Sequence, residues 1–83
     1  MATDACIRLG QRIRQLRKAK GWRQIDLAQH SGVHEVHISD IERGSREICL
    51  NNLVAIAKGL EVPVTELVRG IDGLDQEAVR TTQ

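Results

Sequence analysis

Apolar residues recur along this chain at helical rather than strand spacing. The first segment places Leu9, Ile13 and Leu16 at i, i+4 and i+7, and Lys20 continues the stripe at i+11. A repeat of this kind predicts an amphipathic helix whose stripe faces a core. Gly21 follows directly, and a glycine after a basic last turn is typical of a helix C-terminus.

Four further short helices are predicted, in the segments RQIDLAQHS, HEVHISDIER, LNNLVAIAKGL and PVTELV. Their core-facing residues are expected to be Ile25, Leu27 and Ala28, then Val33, Ile38 and Ile41, then Leu50, Leu53, Ile56, Ala57 and Leu60. Pro63 opens the last segment, since a first helical turn tolerates proline. No alternating stretch indicates a strand. The pattern predicts an all-α domain of five helices over residues 5–69. Residues 70–83 form a short tail with a weak helical pattern at Leu74 and Ala78–Val79.

Composition narrows the class of protein. The length of 83 residues is enough for one small domain. No apolar run approaches the roughly 20 residues that span a bilayer, and the N-terminus lacks the features of a signal peptide. Cys6 and Cys49 form no CxxC pair, which favours two reduced thiols in a cytoplasmic protein. The single aromatic residue, Trp22, is expected to cover the join between the first two helices.

The net charge of +1 hides an uneven distribution. Residues 1–46 carry nine Lys and Arg against five acids, whereas residues 47–83 carry three against six. A basic half and an acidic half in one small domain indicate that one side of the domain binds nucleic acid and that the opposite side does not.

A glycine turn joins the second and third predicted helices. Ala28 lies four residues before Gly32, and Ile38 lies six residues after it. The small residue permits close approach, the glycine makes the turn, and Ile38 anchors the third helix. This spacing predicts a helix-turn-helix, although other helical corners share part of it.

Residues 9–68 closely resemble the Cro/cI-type (XRE) helix-turn-helix family, which has the λ-repressor-like fold. The resemblance rests on IRQLRKAKGW, Gln24, LAQHSGV, ISDIERG and NNLVAIAKGLEV at unbroken spacing. It implies a sequence-specific regulator that binds double-stranded operator DNA as a homodimer, with residues 34–43 in the major groove.

The resemblance also implies roles for individual residues. Base contacts are expected from His34, Glu35, Val36, His37 and Asp40. Phosphate contacts are expected from Arg23, Gln24, Ser39, Arg43, Arg46, Asn51 and Asn52. Arg17 and Glu42 match a pair that forms a partly buried salt bridge between the first and third helices. The apolar residues left for a dimer interface are Val62, Val64, Leu67 and Val68.

Three positions depart from the family pattern. Arg23 stands where a Ser or Thr usually caps the second helix, Ile48 where the loop usually has proline, and Cys49 where a Ser usually caps the fourth helix. The departures at Ile48 and Cys49 fall in the loop after Gly44, where phosphate contacts are expected.

The acids of the third helix leave two functions open. A carboxylate in the groove can accept a hydrogen bond from cytosine N4, so Glu35 and Asp40 can read bases. Alternatively, each points to solvent or pairs with Arg43. If these acids repel DNA, the same fold serves as a protein-interaction adaptor or coactivator.

Other classes of function find little support. His30, His34 and His37, with Cys6 or Cys49 nearby, lack the paired spacing of a structural zinc site, so no metal or other cofactor is expected. No catalytic residue is assigned, because no nucleophile motif or phosphate loop occurs, and no small-molecule substrate is expected. We therefore expect a small regulator that is not an enzyme, with a possible contact to RNA polymerase. Restriction–modification controllers, phage repressors and antitoxins are not separated by the sequence.

Overall fold

The computed structural model describes residues 3–73, and all five helices that the sequence predicts are present. They are α1 Asp4–Ala19, α2 Gln24–Ser31, α3 Glu35–Arg43, α4 Leu50–Leu60 and α5 Val64–Val68. Residues 3–73 contain no strand, which confirms the all-α class. The weak helical pattern at Leu74 and Ala78–Val79 lies outside the described residues. Within the described part of the chain, no helix combines the length and apolar character that crossing a membrane requires.

Local chemistry explains where the helices that carry the site begin and end. The Thr3 hydroxyl accepts a hydrogen bond from the Cys6 backbone N–H at 3.1 Å and so caps α1. Gly32 ends α2 with φ 77°, and its N–H donates to the Ala28 carbonyl at 2.9 Å. Gly44 ends α3 with φ 71°. These positive φ values are accessible to glycine without strain, so two glycines frame α3.

Ten apolar side chains form one core. They are Leu9, Ile13, Leu27, Val33, Ile38, Ile41, Ile56, Ala57, Leu60 and Leu67. Helix α1 packs on α3, α2 packs on both α3 and α4, and α5 closes the core against α1 and α4. Arg12 of α1 stabilises the position of α5. Its Nη2 lies 2.8 Å from Glu66 Oε1, and its Nε donates to the Glu66 carbonyl at 2.9 Å.

Two expectations about individual leucines are wrong. Leu50 was expected to face the core but is 72% exposed, because it is the first residue of α4 and projects beyond the covered part of that helix. Leu67 was expected at a dimer interface but is fully buried, because α5 packs back on α1 and α4 and needs this side chain in the protomer's own core. Of the four apolar residues expected at that interface, Val62, Val64 and Val68 remain half-buried at the surface.

Trp22 is half-buried and packs against the core at the join between α1 and α2, as expected. Its ring stacks on His30 with centroids 4.1 Å apart and planes 8° from parallel. The Lys20 ammonium lies 5.1 Å from the centre of the Trp22 ring. The Trp22 ring therefore connects the end of α1 to α2 through one aromatic stack and one cation–π contact.

Candidate nucleic-acid interface

The N-terminal part of α3 presents four exposed side chains, which we call the reading surface: His34, Glu35, Val36 and His37. Val36 is 58% exposed, although it is apolar. On the other side of the helix, Ile38 and Ile41 are anchored in the core. One face of the helix is thus packed in the core and the opposite face is exposed, which is the arrangement that a DNA-reading helix needs.

His34 has a structural task that the sequence did not reveal. It occupies the N-cap of α3, and its Nδ1 accepts a hydrogen bond from the Val36 N–H at 3.1 Å. Because Nδ1 is the acceptor, the neutral ring carries its proton on Nε2 and offers a donor on the outward side. Histidine is not among the common capping residues, so only its position before the helical run hinted at this role.

Asp40 differs from the residues of the reading surface, because it is less exposed and is paired with two arginines. Its side chain is 21% exposed, its Oδ1 accepts a hydrogen bond from Arg43 Nη2, and its Oδ2 lies 3.8 Å from Arg46 Nε. Asp40 is thus paired with Arg43 in the structure, and its contact with a base stays a prediction. Pairing with Arg46 as well was not expected, since the two arginines lie on opposite sides of Gly44.

The residues expected to contact phosphate lie at three places around α3. Arg43 and Arg46 are exposed at its C-terminal end, and Arg43 Nη1 donates to Ser39 Oγ at 3.2 Å. Asn51 is exposed and Asn52 half-buried in the first turn of α4. Cys49 caps that helix without a side-chain hydrogen bond, in agreement with its departure from the usual serine. Gln24 opens α2, and Arg23 precedes it.

The start of α2 is stabilised by Asp26 in place of the missing Ser or Thr. Asp26 Oδ2 accepts a hydrogen bond from the Arg23 backbone N–H at 2.8 Å, and its two oxygens lie 3.2 Å from Arg23 Nε and Nη2. These bonds, the one from the guanidinium first, lower the pKa of the Asp26 carboxyl. They also raise the pKa of the Arg23 guanidinium, and the nearby charge of Glu35 adds to the rise. Arg23 therefore places a positive charge next to the reading surface, with its guanidinium bonded to Asp26.

Asp26→Asn is expected to lower the Tm at neutral pH, because it weakens both the cap and the ion pair. Since the folded state depresses the pKa of Asp26, this contribution is fully present above the ordinary carboxyl pKa of about 4 and is lost as the pH falls through the folded value. The difference in Tm between parent and variant should stay constant between about pH 5 and 8 and shrink below about pH 4. Thermal melts followed by circular dichroism measure it, with Glu47→Gln in an exposed loop as the control. A difference that persists unchanged at low pH would contradict the assignment.

Beneath the interface, Arg17 and Glu42 form a buried ion pair between α1 and α3. Arg17 Nε lies 2.7 Å from Glu42 Oε2, and Arg17 Nη2 lies 2.9 Å from Oε1. The hydrogen bond with Glu42, together with its charge, raises the pKa of Arg17 against the effect of burial. Gln24 Nε2 donates to the same Glu42 oxygen at 3.1 Å, a contact that sequence reasoning missed. Glu42 therefore faces inward, and the Gln24 side chain links the start of α2 to this pair.

The histidines and cysteines do not assemble into a common site. His30 stacks on Trp22, whereas His34 and His37 lie together on α3 with centroids 6.2 Å apart. Cys6 and Cys49 are free thiols. Within residues 3–73, no group of three or more His, Cys, Asp and Glu side chains lies close enough to hold a metal ion.

Comparison with known proteins places this arrangement in a family. The helix-turn-helix family model matches residues 13–67. Control protein C.BamHI of Bacillus amyloliquefaciens is 38% identical over 69 residues, which cover 82% of this chain and 85% of that protein. Control protein C.SmaI of Serratia marcescens is 33% identical over 60 residues, which cover 72% of this chain and 71% of that protein.

Solved structures of controller proteins are also similar to this chain. The restriction-modification controller protein C.AhdI from Aeromonas hydrophila has a TM-score of 0.73 at 39% identity, covering 75% of this chain and 94% of that one. The wild-type restriction-modification controller protein C.Esp1396I has a TM-score of 0.75 at 32% identity, covering 86% and 93%.

The chain belongs to the helix-turn-helix family and is a DNA-binding transcriptional regulator. Its motif consists of α2, the turn at Gly32 and α3, as the spacing of Ala28, Gly32 and Ile38 predicted. The resemblance to the XRE-type regulators is confirmed.

Proposed function

We propose that this protein is a controller-type transcriptional regulator that binds operator DNA as a homodimer and inserts α3 into the major groove. The observation that carries the proposal is the free front of α3, where four side chains are exposed while the back of the helix is anchored in the core. The names of the similar proteins, two control proteins and a restriction-modification controller protein, support the controller type. As such a regulator it is not an enzyme, and it acts on DNA in the cytoplasm.

The reading surface supplies chemistry for distinguishing bases. The Glu35 carboxylate accepts a hydrogen bond from cytosine N4, and the exposed Val36 packs on a thymine methyl group. His34 and His37 donate to acceptors on purine edges. Each well-formed contact of this kind discriminates against a wrong base by about 1–3 kcal/mol.

Affinity comes mainly from the phosphates on either side. Arg23, Arg43 and Arg46 place cations around α3, and the first turns of α2 and α4 present backbone N–H groups, which favour anions. Gln24 contributes through its backbone N–H, since its side-chain amide already binds Glu42. Ser39, Asn51 and Asn52 complete the set of proposed phosphate contacts.

The arrangement of acids on α3 weakens the adaptor alternative. The acids Glu35 and Asp40 favoured a protein partner, but Asp40 is paired with two arginines, and Glu42 is buried against Arg17. Only Glu35 remains as an exposed acid of α3, and it lies near Arg23. A helix with one exposed acid is compatible with a reading role.

Dimerisation follows from the size of one reading surface. A single α3 reads only a few base pairs, so two copies on half-sites about 34 Å apart multiply the specificity. Val62, Val64 and Val68 are half-buried at the α4–α5 end and are the proposed interface. The dimer blocks RNA polymerase when its operator overlaps the promoter and contacts polymerase when the operator lies upstream.

Selection from a random DNA pool, followed by gel shifts over a salt series, tests this function. The parent protein is expected to enrich one palindromic motif. Arg43→Ala should weaken binding and reduce the slope of log K against log salt by about 1.8, the value for two lost phosphate contacts, one in each half-site of the dimer. Glu35→Ala should relax the preference at one base position in each half-site.

Lys58→Ala is the matched control, because it removes an equal charge from the far end of α4. It should leave the slope and the motif unchanged. If no motif is enriched and weak binding disappears at modest salt, the proposed function is wrong and the adaptor alternative replaces it.

A further inference from the structure

Asp40 makes contacts on both sides of Gly44, the residue that ends α3. Its carboxylate pairs with Arg43 on the helix and lies 3.8 Å from Arg46 beyond the helix end. Its backbone carbonyl accepts hydrogen bonds from the N–H and the hydroxyl of Ser45, each at 3.1 Å. The carboxylate is mostly covered, whereas the side chains of Arg43 and Arg46 are 64% and 56% exposed.

These contacts fix the Arg43 guanidinium from two directions. Nη2 binds Asp40, and Nη1 donates to Ser39 at 3.2 Å. A guanidinium has five N–H donors, so three of them remain for an external acceptor. A long side chain that is ordered before binding loses less conformational freedom when it binds.

The helix dipole does not account for Asp40. The residue lies in the last turns of α3, where the helix dipole disfavours a negative charge. A carboxylate on a surface that faces phosphates also opposes DNA binding by simple repulsion. Both effects disfavour an acid at this position, which leaves its effect on the two arginines to be considered.

We propose that Asp40 is a positioning residue that orders Arg43 and Arg46 for contact with DNA phosphates, and that it does not read a base. Asp40 thus increases affinity for DNA although its own charge is negative. This role rests on the proposed function, because the arginines need a phosphate backbone to contact.

The three possible roles of Asp40 predict different results for Asp40→Ala. A positioning role predicts weaker operator binding, by about five- to a hundredfold, which corresponds to the ordering of one long side chain in each protomer of the dimer. It also predicts a flatter salt slope and an unchanged motif. A base-reading role predicts a relaxed base preference with an unchanged slope. Simple repulsion predicts tighter binding.

The experiment measures Asp40→Ala by gel shift over a salt series on the selected operator. Glu47→Ala is the matched control, since it removes an equal charge from the exposed loop after α3. The control should bind as tightly as the parent or more tightly. Asp40→Glu keeps a carboxylate three residues before Arg43 and should restore most of the affinity. In an Arg43→Ala background, Asp40→Ala should lose the part of its effect that acts through Arg43 and keep only the part that acts through Arg46.

A second measurement needs no DNA. In the parent, the Arg43 guanidinium should rotate slowly by NMR of its side-chain N–H groups, and Asp40→Ala should release it. Fast rotation already in the parent would overturn the proposal, as would an Asp40→Ala variant that binds as tightly as the parent or shifts the motif. If the parent enriches no DNA motif while Arg43 is held, the proposed function fails first and the positioning role falls with it.

Discussion

Replacing Arg17 with alanine is expected to lower the free energy of unfolding by about 3–5 kcal/mol, because it leaves the Glu42 carboxylate buried without its partner. The two side chains are 9% and 3% exposed. Arg17 Nη1 also donates to the Trp22 carbonyl at 2.6 Å, so this oxygen would lose a donor as well. Total stability for a domain of this size is on the order of 5–10 kcal/mol, so the variant would be close to unfolding.

Urea denaturation measures this loss, and two variants serve as comparisons. Arg8→Ala breaks the exposed pair with Asp4 and should cost less than about 1 kcal/mol. The double variant Arg17→Met with Glu42→Leu removes both charges and should recover part of the loss, since no charge is left buried alone. Equal effects of Arg17→Ala and Arg8→Ala would show that the buried pair contributes little.

Gly10→Ala is the second substitution with a large expected effect, in the direction opposite to helix propensity. Alanine is favoured over glycine within a helix by about 1 kcal/mol. However, a Cβ at Gly10 would lie 2.3 Å from the Ile41 carbonyl oxygen and 2.6 Å from that of Glu42. These are backbone atoms of α3, so α1 and α3 would have to separate. Overpacking of this kind costs about 1–3 kcal/mol or more.

Urea denaturation of Gly10→Ala should show a clear net loss of stability. Gln11→Ala changes the next, exposed residue of α1 and should stay within about 0.5 kcal/mol of the parent. Gly59→Ala should lie between them, because its Cβ would meet Ser31 at 3.0 Å, a milder contact between α4 and α2. A Gly10→Ala variant that is more stable than the parent would contradict the close approach of α1 and α3.

Much of the interface could be predicted from residues that are close together in the chain. The turn at Gly32 and the exposed positions 34–37 follow from spacing and from the family resemblance, and both are present in the structure. The resemblance also pointed to Arg17 and Glu42, which the structure places in an ion pair. That His34 in particular forms a cap was not predicted, because this depends on the rotamer of its side chain.

The misplaced leucines show where the hydrophobic pattern stops being informative. The repeat correctly identifies the buried face of α4 from Ile56 to Leu60. It does not say how far along the helix a neighbour extends, so it included the exposed Leu50. In the same way, an apolar residue in a short last helix fits a core or an interface equally well, and the packing of α5 places Leu67 in the core.

The sequence by itself determined the five helices, the helix-turn-helix and the family, because helical periodicity, turns and capping are local properties of the chain. Only the tertiary structure decided how most of the charged groups are paired, although the family resemblance had already indicated the pair of Arg17 and Glu42. Glu42 faces inward and pairs with Arg17, 25 residues earlier, and its Oε1 also accepts a hydrogen bond from Gln24, 18 residues earlier. The close approach at Gly10 likewise exists only once α1 lies on α3. Charge and space at a residue depend on partners that are distant in the chain, and folding brings them together.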